Sequence, residues 1–427
     1  MLDIRLVREN PELVRKDLAK RNAPDKAKLL ADVIRWDQEW RKALAEADHL
    51  KRRRNEITRD IAEAKKAGKP TERLRKEAAG LPKKIDALDK TIDGLAAKVR
   101  EGLLRLPNIL HESVPVGKDD TENVEVARWG TPRKLDFELK SHGELLEALR
   151  LADFERARKV AGAGFVYLLG DLVRLDQALL TFALDYMLKQ GFTPVFPPFM
   201  MRRAAYEGVV DLGDFETVMY KIDGEDLFLI ATSEHPMGAM HMDEIIDEAD
   251  LPIALTGLAT QFRREIGGHG VDTKGFFRMH QFNKVEQFVF CRPEDSWTWH
   301  EKLRANGEAI YRALEIPYRV VNVCTGDIGT VAAKKYDIEG WFPRQDAYRE
   351  VISCSNCTDY QARRLNTRAG KVGGDKFFPH TLNSTAMATS RGLVAVLENY
   401  QQADGSVVVP TVLQPFMNGQ EVIRAPT

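Results

Sequence analysis

The chain has 427 residues, of which 44% are hydrophobic and 30% charged, as is typical of a globular protein of two or three domains. No apolar run reaches the roughly 18 residues needed to cross a bilayer, and the first ten residues lack the apolar core of a signal peptide. We therefore expect a cytoplasmic protein with no membrane partner. The net charge of −1 is unevenly spread, because residues 41–100 carry 18 Lys and Arg against 10 Asp and Glu. This basic segment indicates a polyanionic partner.

The N-terminal quarter predicts an antiparallel helical hairpin. Apolar residues recur at alternating spacings of four and three over residues 29–64 and again over 74–99, which is the seam of a coiled coil. The segment "KKAGKPT" at 65–71 predicts the turn, and Pro82 should kink the second helix. A dimerisation or spacer role is one reading of this arm. A basic cluster makes a nucleic-acid backbone the other candidate partner; its members are Lys51, Arg52, Arg53 and Arg54.

A linker rich in Pro, Asp and Asn follows at residues 106–126, and strand-length apolar runs then alternate with amphipathic helices. This alternation of strands and helices predicts that the rest of the chain has an α+β or α/β fold. Its first long element is an apolar helix over 171–190, followed by a strand that ends at Pro197 and Pro198. The helix is expected either in the core or at a subunit interface.

Two alternating segments, 254–265 and 276–290, predict a β-hairpin around a glycine-containing loop at 266–275 that we expect to be mobile. On one side of the hairpin Arg263, Glu265, Phe282 and Glu286 could converge. An arginine grips phosphate oxygens, a phenylalanine stacks on a base and a carboxylate accepts from an amine. A triphosphate and a purine would explain the set, whereas a surface hairpin with salt bridges is the alternative.

Three further clusters complete the candidate chemistry. A strand from about residue 380 leads into a helix from about Ala388, with Arg391 in its first turns, where an anion is favoured. Thr232 and Glu234 should share one face of a strand. Glu350 and Ser353 lie near a predicted turn and suit Mg²⁺, which prefers oxygen ligands. A single CxxC at 354–357 is too small a set for zinc, so we expect buried thiols and no zinc.

Taken in order, these stretches resemble motifs 1, 2 and 3 of class II aminoacyl-tRNA synthetases. The arm, together with "TSEHP", "FRRE", "RMHQFNKVEQ", "SCSNCTDYQARR", "AAKKYDIEGWFP" and "ENYQQADGSVVVP", resembles the seryl-tRNA synthetase family over essentially the whole chain, in a form with an archaeal look. The resemblance implies an α+β fold. Residues 1–110 would form a tRNA-binding domain with a long coiled-coil arm, and 111–427 a class II catalytic domain on a mixed, mainly antiparallel sheet flanked by helices.

The same resemblance implies activation of L-serine with ATP and Mg²⁺ and its transfer to tRNA(Ser), and also to tRNA(Sec), by a homodimer that binds tRNA across its subunits. It assigns residues to ATP as follows: Arg263 to the α-phosphate, Glu265 to the adenine amino group, Phe282 to stacking, Met279, Val351 and Ile352 to the lining, Arg391 to the γ-phosphate, and Glu350 with Ser353 to Mg²⁺ and phosphate. Arg263, Arg391 and Glu350 would be catalytic. The serine ligands would be Thr232, Glu234, Glu286, Asn383 and Thr385.

Other functions fit parts of the pattern. A related ligase could load an amino acid onto a carrier protein, although such relatives lack the long arm. A non-catalytic relative could use the arm as a scaffold, and another class II specificity, such as threonine or proline, is conceivable. The presence of Arg263, Glu265 and Arg391 favours an active synthetase.

Overall fold

The computed structural model describes residues 1–134, 136–210, 217–265, 276–371 and 373–425. The chain divides into two compact units, Met1–Pro107 and Asn108–Thr427. The predicted mobile loop at 266–275 lies outside the described residues. Within the described part of the chain, no helix is both long enough and apolar enough to span a membrane.

The first unit is helical, with α1 (Ile4–Glu9), α2 (Pro11–Lys20), α3 (Pro24–Lys66) and α4 (Glu72–Arg105). Helices α3 and α4 form the predicted antiparallel hairpin. Their apolar seam is confirmed, because Ile57 of α3 packs against Leu81 and Ile85 of α4, away from solvent. Gly68 takes the left-handed conformation in the turn (φ 68°), which glycine adopts without strain. Helix α4 continues across Pro82.

The second unit combines helices with a large sheet and several two- and three-stranded sheets. Its helices are α5 (His142–Ala148), α6 (Phe154–Ala161), α7 (Asp171–Lys189), α8 (Arg203–Val209), α9 (Glu234–Gly238), α10 (Ser296–Ala313), α11 (Tyr360–Leu365) and α12 (Thr389–Tyr400). Its strands are β1 (Val124–Trp129), β2 (Ala152–Asp153), β3 (Tyr167–Leu168), β4 (Thr193–Val195), β5 (Met200–Met201), β6 (Phe228–Leu229), β7 (Ile245–Ile246), β8 (Ile253–Phe262), β9 (Gln281–Cys291), β10 (Tyr318–Asn322), β11 (Lys334–Phe342), β12 (Ala347–Asn356), β13 (Arg368–Gly370), β14 (Lys376–Phe377), β15 (His380–Ala388), β16 (Val407–Val408) and β17 (Val422–Ile423).

Eight of the described strands form one sheet in the order β1-β10-β11-β12-β15-β9-β8-β4. All neighbours are antiparallel except β4 and β8, which run parallel. The predicted mixed, mainly antiparallel sheet is therefore confirmed. Strand β4 follows α7, the predicted apolar helix, and Gly191 ends that helix with φ 85°.

Helices α7, α10 and α12 cover one face of this sheet and bury the main core against it, including Leu179, Leu303 and Leu393. Helix α9 lies on the opposite face, where Met237 and Phe288 pack together. We call this second face the site face, because the candidate ligand-binding residues project from it. Because α9 covers only part of the site face, there is room for cavities above the central strands.

Candidate active site

Two of the cavities above the site face contain most of the candidate residues. The arginine groove has a volume of about 210 Å³ and is lined by Arg263, Glu265, Phe282, Glu350 and Arg391, among others. The glutamate pocket, of about 410 Å³, is lined among others by Thr232, Glu234, Ser353 and Asn383, and also by Arg263. Because Arg263 borders both cavities, its guanidinium can contact a ligand in either of them.

Arg263 follows directly on β8, and the backbone holds it firmly. Its amide donates to the His280 carbonyl at 2.9 Å, and its Nε donates to the Ala231 carbonyl at 3.1 Å. The guanidinium lies 5.4 Å from the centre of the Phe282 ring. Arg263 and Phe282 therefore form a cation beside an aromatic face, which suits a phosphate next to a base.

At the far end of the groove, Arg391 in the first turn of α12 forms an ion pair with Glu350 at 3.4 Å. Its guanidinium also lies 5.1 Å from the Phe277 ring. Burial by itself would raise the pKa of the Glu350 carboxyl, but Arg391, Lys335 and Arg263 outweigh it and lower the pKa to about 2. Glu350 is thus ionised at any physiological pH, and the exposure of 44% of its side chain to solvent also favours the charged form.

The segment that leads into β9 departs from the predicted strand. β9 begins only at Gln281, and residues 276–280 bend instead of extending. The predicted alternation therefore fails there: Phe277, Arg278 and Met279 all line the arginine groove, although a strand would have divided them between two faces. Arg278 forms an ion pair with Glu265 across the groove.

Glu350 and Ser353 lie within β12 and not in the predicted turn. A bulge decides where they point. Glu350 lies opposite Glu339 and Ser353 lies opposite Asp337, two positions along β11, so both project from the same face. Residues three apart in a regular strand would face opposite ways, but Val351 is an extra residue that restores the match.

The segment of Thr232 and Glu234 is also not the predicted strand. Glu234 is the first residue of the short helix α9, and its amide donates to Thr232 Oγ1 at 3.3 Å. Both side chains nevertheless line the glutamate pocket. Gln361 of α11, which the sequence did not single out, donates to Glu234 Oε1 at 3.1 Å. A helix turn therefore places Thr232 and Glu234 side by side, as the predicted strand face would have done.

The pocket concentrates buried charge. Burial first, and then the neighbouring Glu286, raises the pKa of Glu234 to about 7. Burial also raises the pKa of Glu286, against the opposing effect of Lys284. Burial lowers the pKa of His235 to about 3, so that imidazole is neutral. A cation entering this pocket would meet the poorly solvated Glu234, which in turn interacts with the buried Glu286.

Lys284 is a charged residue of the site to which the sequence assigned no role. Its Nζ lies 3.1 Å from Thr232 Oγ1 and 2.5 Å from Glu286 Oε2. Alternation along β9 does put Lys284 between Phe282 and Glu286 on one face, which was the available signal. Charged strand residues are usually solvated, however, and only the tertiary structure shows this one to be buried.

The two predicted residues on β15 lie on the site face. Thr385 is opposite Glu286 in the register with β9, and it borders the arginine groove. Asn383 borders the glutamate pocket, and its Nδ2 donates to Cys357 Sγ at 3.7 Å. All four cysteines are free and buried, as expected, and Cys357 contributes to the pocket wall.

Ile352 stands apart from the other predicted ATP residues. It lies opposite Ile338 and is fully buried on the helix-covered face. There it packs so closely against α10 that a Cβ added to Gly307 would lie 2.8 Å from Ile352 Cδ1. Its side chain therefore does not line either cavity, in contrast to Val351, which borders the arginine groove.

The four basic candidates of the arm differ in their surroundings. Lys51 pairs with Asp89 at 2.9 Å and Arg53 with Glu77 at 2.8 Å, both across the hairpin. Arg52 and Arg54 are exposed on α3. Neither takes part in an ion pair with the described residues, so these two present the more available charge.

The donors for a metal ion are few. No group of three or more His, Cys, Asp or Glu side chains suited to hold a metal occurs in the described part of the chain. Glu350 and Ser353 offer a carboxylate and a hydroxyl on the same face, next to two arginines. This donor set fits Mg²⁺, a hard ion that takes oxygen ligands and retains water and phosphate in its shell.

Two family models match the chain. The seryl-tRNA synthetase N-terminal domain matches residues 1–110, and the tRNA synthetase class II core domain (G, H, P, S and T) matches residues 217–400. Among curated relatives, a serine–tRNA ligase of Methanocella arvoryzae is 59% identical over 99% of this chain and 100% of its own. A serine–tRNA ligase of Thermococcus onnurineus is 50% identical over 100% of this chain and 98% of its own.

Solved structures agree with these matches. The seryl-tRNA synthetase of Pyrococcus horikoshii, complexed with ATP, has a TM-score of 0.97 at 49% identity, over 100% of both chains. The cytoplasmic serine–tRNA ligase of Naegleria fowleri, in complex with AMP, has a TM-score of 0.91 at 36% identity, over 100% of this chain and 99% of that one.

The mainly antiparallel sheet, with an arginine at the end of β8 and another in the helix after β15, is that of a class II aminoacyl-tRNA synthetase. The N-terminal match and the full-length relatives narrow this class further. The chain belongs to the seryl-tRNA synthetase family.

Proposed function

We propose that the protein is a serine–tRNA ligase, which activates L-serine with ATP and transfers it to the 3′ end of tRNA(Ser). The observation that carries this proposal is the sharing of Arg263 between a groove suited to a nucleotide and a pocket suited to an amino acid. Activation requires the serine carboxylate to meet the α-phosphorus of ATP, and a cation at that junction favours the encounter.

In the arginine groove, ATP would lie with adenine on Phe282 and its amino group toward Glu265. Arg278 now pairs with Glu265, so adenine binding would exchange that ion pair for a hydrogen bond. Arg263 would hold the α-phosphate and Arg391 the γ-phosphate, while Met279 and Val351 border the nucleotide. Ile352 could contribute only through its backbone, because its side chain is buried in the core.

Glu350 and Ser353 would hold Mg²⁺ together with phosphate oxygens. When bound, the ion would supply positive charge next to the phosphates. The low pKa of Glu350 supports this role, because the carboxylate stays ionised. Arg391, which is paired with Glu350, is positioned to turn toward the phosphates instead.

Activation is then an in-line displacement. A serine carboxylate oxygen bonds to the α-phosphorus, and the bond from that phosphorus to the α,β-bridging oxygen breaks, giving seryl-adenylate and pyrophosphate. Arg263 and Arg391 stabilise the charge on the α-phosphoryl group and the leaving pyrophosphate without a nucleophilic side chain. Attack by the 3′-hydroxyl of the tRNA on the acyl carbon then releases AMP.

Serine recognition belongs to the glutamate pocket. Glu234, Glu286 and Thr232 would meet the ammonium and the hydroxyl, and Asn383 with Thr385 would read the side chain. A pocket whose buried polar groups need the substrate hydroxyl rejects alanine, because those groups would stay unpaired. The proposed ligands derive from three separate parts of the fold, namely the turn into α9, β9 and β15, which supports a pocket built for one small polar substrate.

Residues 1–110 would be the tRNA-binding domain and residues 111–427 the catalytic domain. The exposed Arg52 and Arg54, with Lys51 and Arg53, would contact the tRNA backbone. We further propose a homodimer that binds tRNA across its subunits and acts in the cytoplasm, where aminoacylated tRNA is used. Charging of tRNA(Sec) would follow from the same contacts between the arm and the tRNA backbone.

The test is pyrophosphate exchange with ATP and each of the twenty amino acids, followed by charging of tRNA. We expect exchange with serine alone, and serine attached to tRNA(Ser). Exchange with another amino acid, or serine attached to a carrier protein but not to tRNA, would overturn the proposal.

A further inference from the structure

Lys284 of β9 occupies an unusual place for a lysine. It is only 7% exposed, and it borders the arginine groove while its two polar contacts, Thr232 and Glu286, belong to the proposed serine site. Burying an ammonium is costly unless it is paired, and here the Glu286 carboxylate at 2.5 Å provides the pairing. A residue needed only for packing would not require a charge at the junction of two cavities.

The first consequence concerns the Thr232 hydroxyl. Its oxygen accepts from Lys284 Nζ at 3.1 Å and from the Glu234 amide at 3.3 Å. A hydroxyl oxygen has two acceptor positions, so both are occupied. The only further hydrogen bond that the Thr232 hydroxyl can make is one in which it donates its proton. Lys284 thus makes Thr232 a donor toward whatever occupies the glutamate pocket.

The second consequence concerns the Glu286 carboxylate. Glu286 is 1% exposed and shares its surroundings with a second carboxylate, Glu234. Two poorly solvated carboxylates side by side favour uptake of a proton. The groups that act on Glu286 are Lys284 on its own strand, Arg263 after β8, Thr385 on β15 and Glu234 on α9. Of these, Lys284 makes the direct ion pair.

We propose that Lys284 is a positioning residue for serine, which keeps Glu286 an anionic acceptor for the substrate ammonium and Thr232 a donor. The inference rests on the proposed serine–tRNA ligase activity. It predicts a specific defect when the charge is removed. Serine should bind weakly because its ammonium loses an ionised partner, whereas ATP, whose proposed contacts are elsewhere in the groove, should bind normally.

The test uses serine-dependent pyrophosphate exchange with the full-length protein and three variants. Lys284→Gln removes the charge but retains a donor for Thr232, and Lys284→Arg retains the charge. Lys334→Gln is the matched control, because Lys334 is similarly buried but its ammonium lies over the ring of Tyr336, which packs in the core on the helix-covered face. We expect Lys284→Gln to raise the serine KM at pH 7 by roughly tenfold or more, with the ATP KM within about twofold of the parent.

A pH series gives a readout that a purely structural role would not move. Without Lys284 the pKa of the Glu286 carboxyl should rise further, because in the parent protein Lys284 opposes the effect of burial on that pKa. The serine KM of Lys284→Gln should therefore fall toward the parent value as the pH is raised above 7. Lys284→Arg should retain most serine affinity, and Lys334→Gln should retain all of it.

The outcomes separate this inference from the proposed activity. Absence of serine-dependent exchange in the parent protein would overturn the activity itself. Normal exchange in the parent with an unchanged serine KM in Lys284→Gln would overturn only the role of Lys284. So would a variant whose melting temperature falls while both KM values stay the same. If Lys284→Gln does not fold, a serine KM that rises in Lys284→Arg far more than the ATP KM would count against the inference, because that variant retains the charge.

Discussion

Glu234→Gln should make the protein more stable and unable to activate serine. In the folded chain the pKa of Glu234 is raised from 4.5 to about 7, chiefly by burial and next by Glu286. The unfolded chain ionises this group near its ordinary value. The folded state therefore binds a proton that the unfolded state has released, and ionisation of Glu234 opposes folding.

The size and pH window of this effect follow from the same two values. Each tenfold change in proton affinity corresponds to roughly 1.4 kcal/mol, so the shift from 4.5 to about 7 gives a cost of at most about 3 kcal/mol. The cost is absent below about pH 4.5, grows as the pH rises and is complete above about pH 7. Glutamine has the same shape and can still accept from Gln361, but it never ionises.

The assay is denaturant unfolding of parent and Glu234→Gln at about pH 5 and pH 8, together with serine-dependent pyrophosphate exchange at pH 8. The stabilisation should be small at pH 5 and approach about 3 kcal/mol at pH 8, while exchange is lost. Glu155→Gln on exposed α6 is the control, with no stabilisation expected. A variant that is less stable at pH 8, or one stabilised equally at both pH values, would refute the reasoning.

Three other predictions concern phosphate binding and the arm. Arg391→Lys keeps the charge but loses the bidentate guanidinium. The kcat/KM for ATP in pyrophosphate exchange should therefore fall roughly 10- to 100-fold, with little change in the serine KM. An unchanged kcat/KM for ATP would exclude a phosphate contact. Deleting residues 27–99 should spare pyrophosphate exchange and abolish tRNA charging, and equal loss of both activities would contradict separate roles. Replacing both Arg52 and Arg54 by Ala should raise the tRNA KM and weaken its salt dependence. The effect should exceed that of Lys51→Ala, because Lys51 already pairs with Asp89. An equal effect of the two changes on the tRNA KM would contradict the contrast between free and paired charges.

The sequence alone was enough for features set by local periodicity. The four-three spacing predicted both arm helices and their seam, because an apolar stripe on a helix must find a partner stripe. The ordered motifs identified the family and the class of sheet. The same residues, Arg263 and Arg391, were predicted beside the nucleotide, and the structure brings both to one groove.

Tertiary structure decided which way the site residues point. One extra residue in β12 turns Glu350 and Ser353 to the same face, and a helix turn, not a strand, joins Thr232 to Glu234. Alternation cannot predict a bulge, because a bulge depends on the register with the neighbouring strand. Burial of Lys284 is likewise a property of the assembled sheet and helices. Period and motif thus determined the architecture and the family, while inter-strand register and burial determined the geometry and the charge states of the pocket.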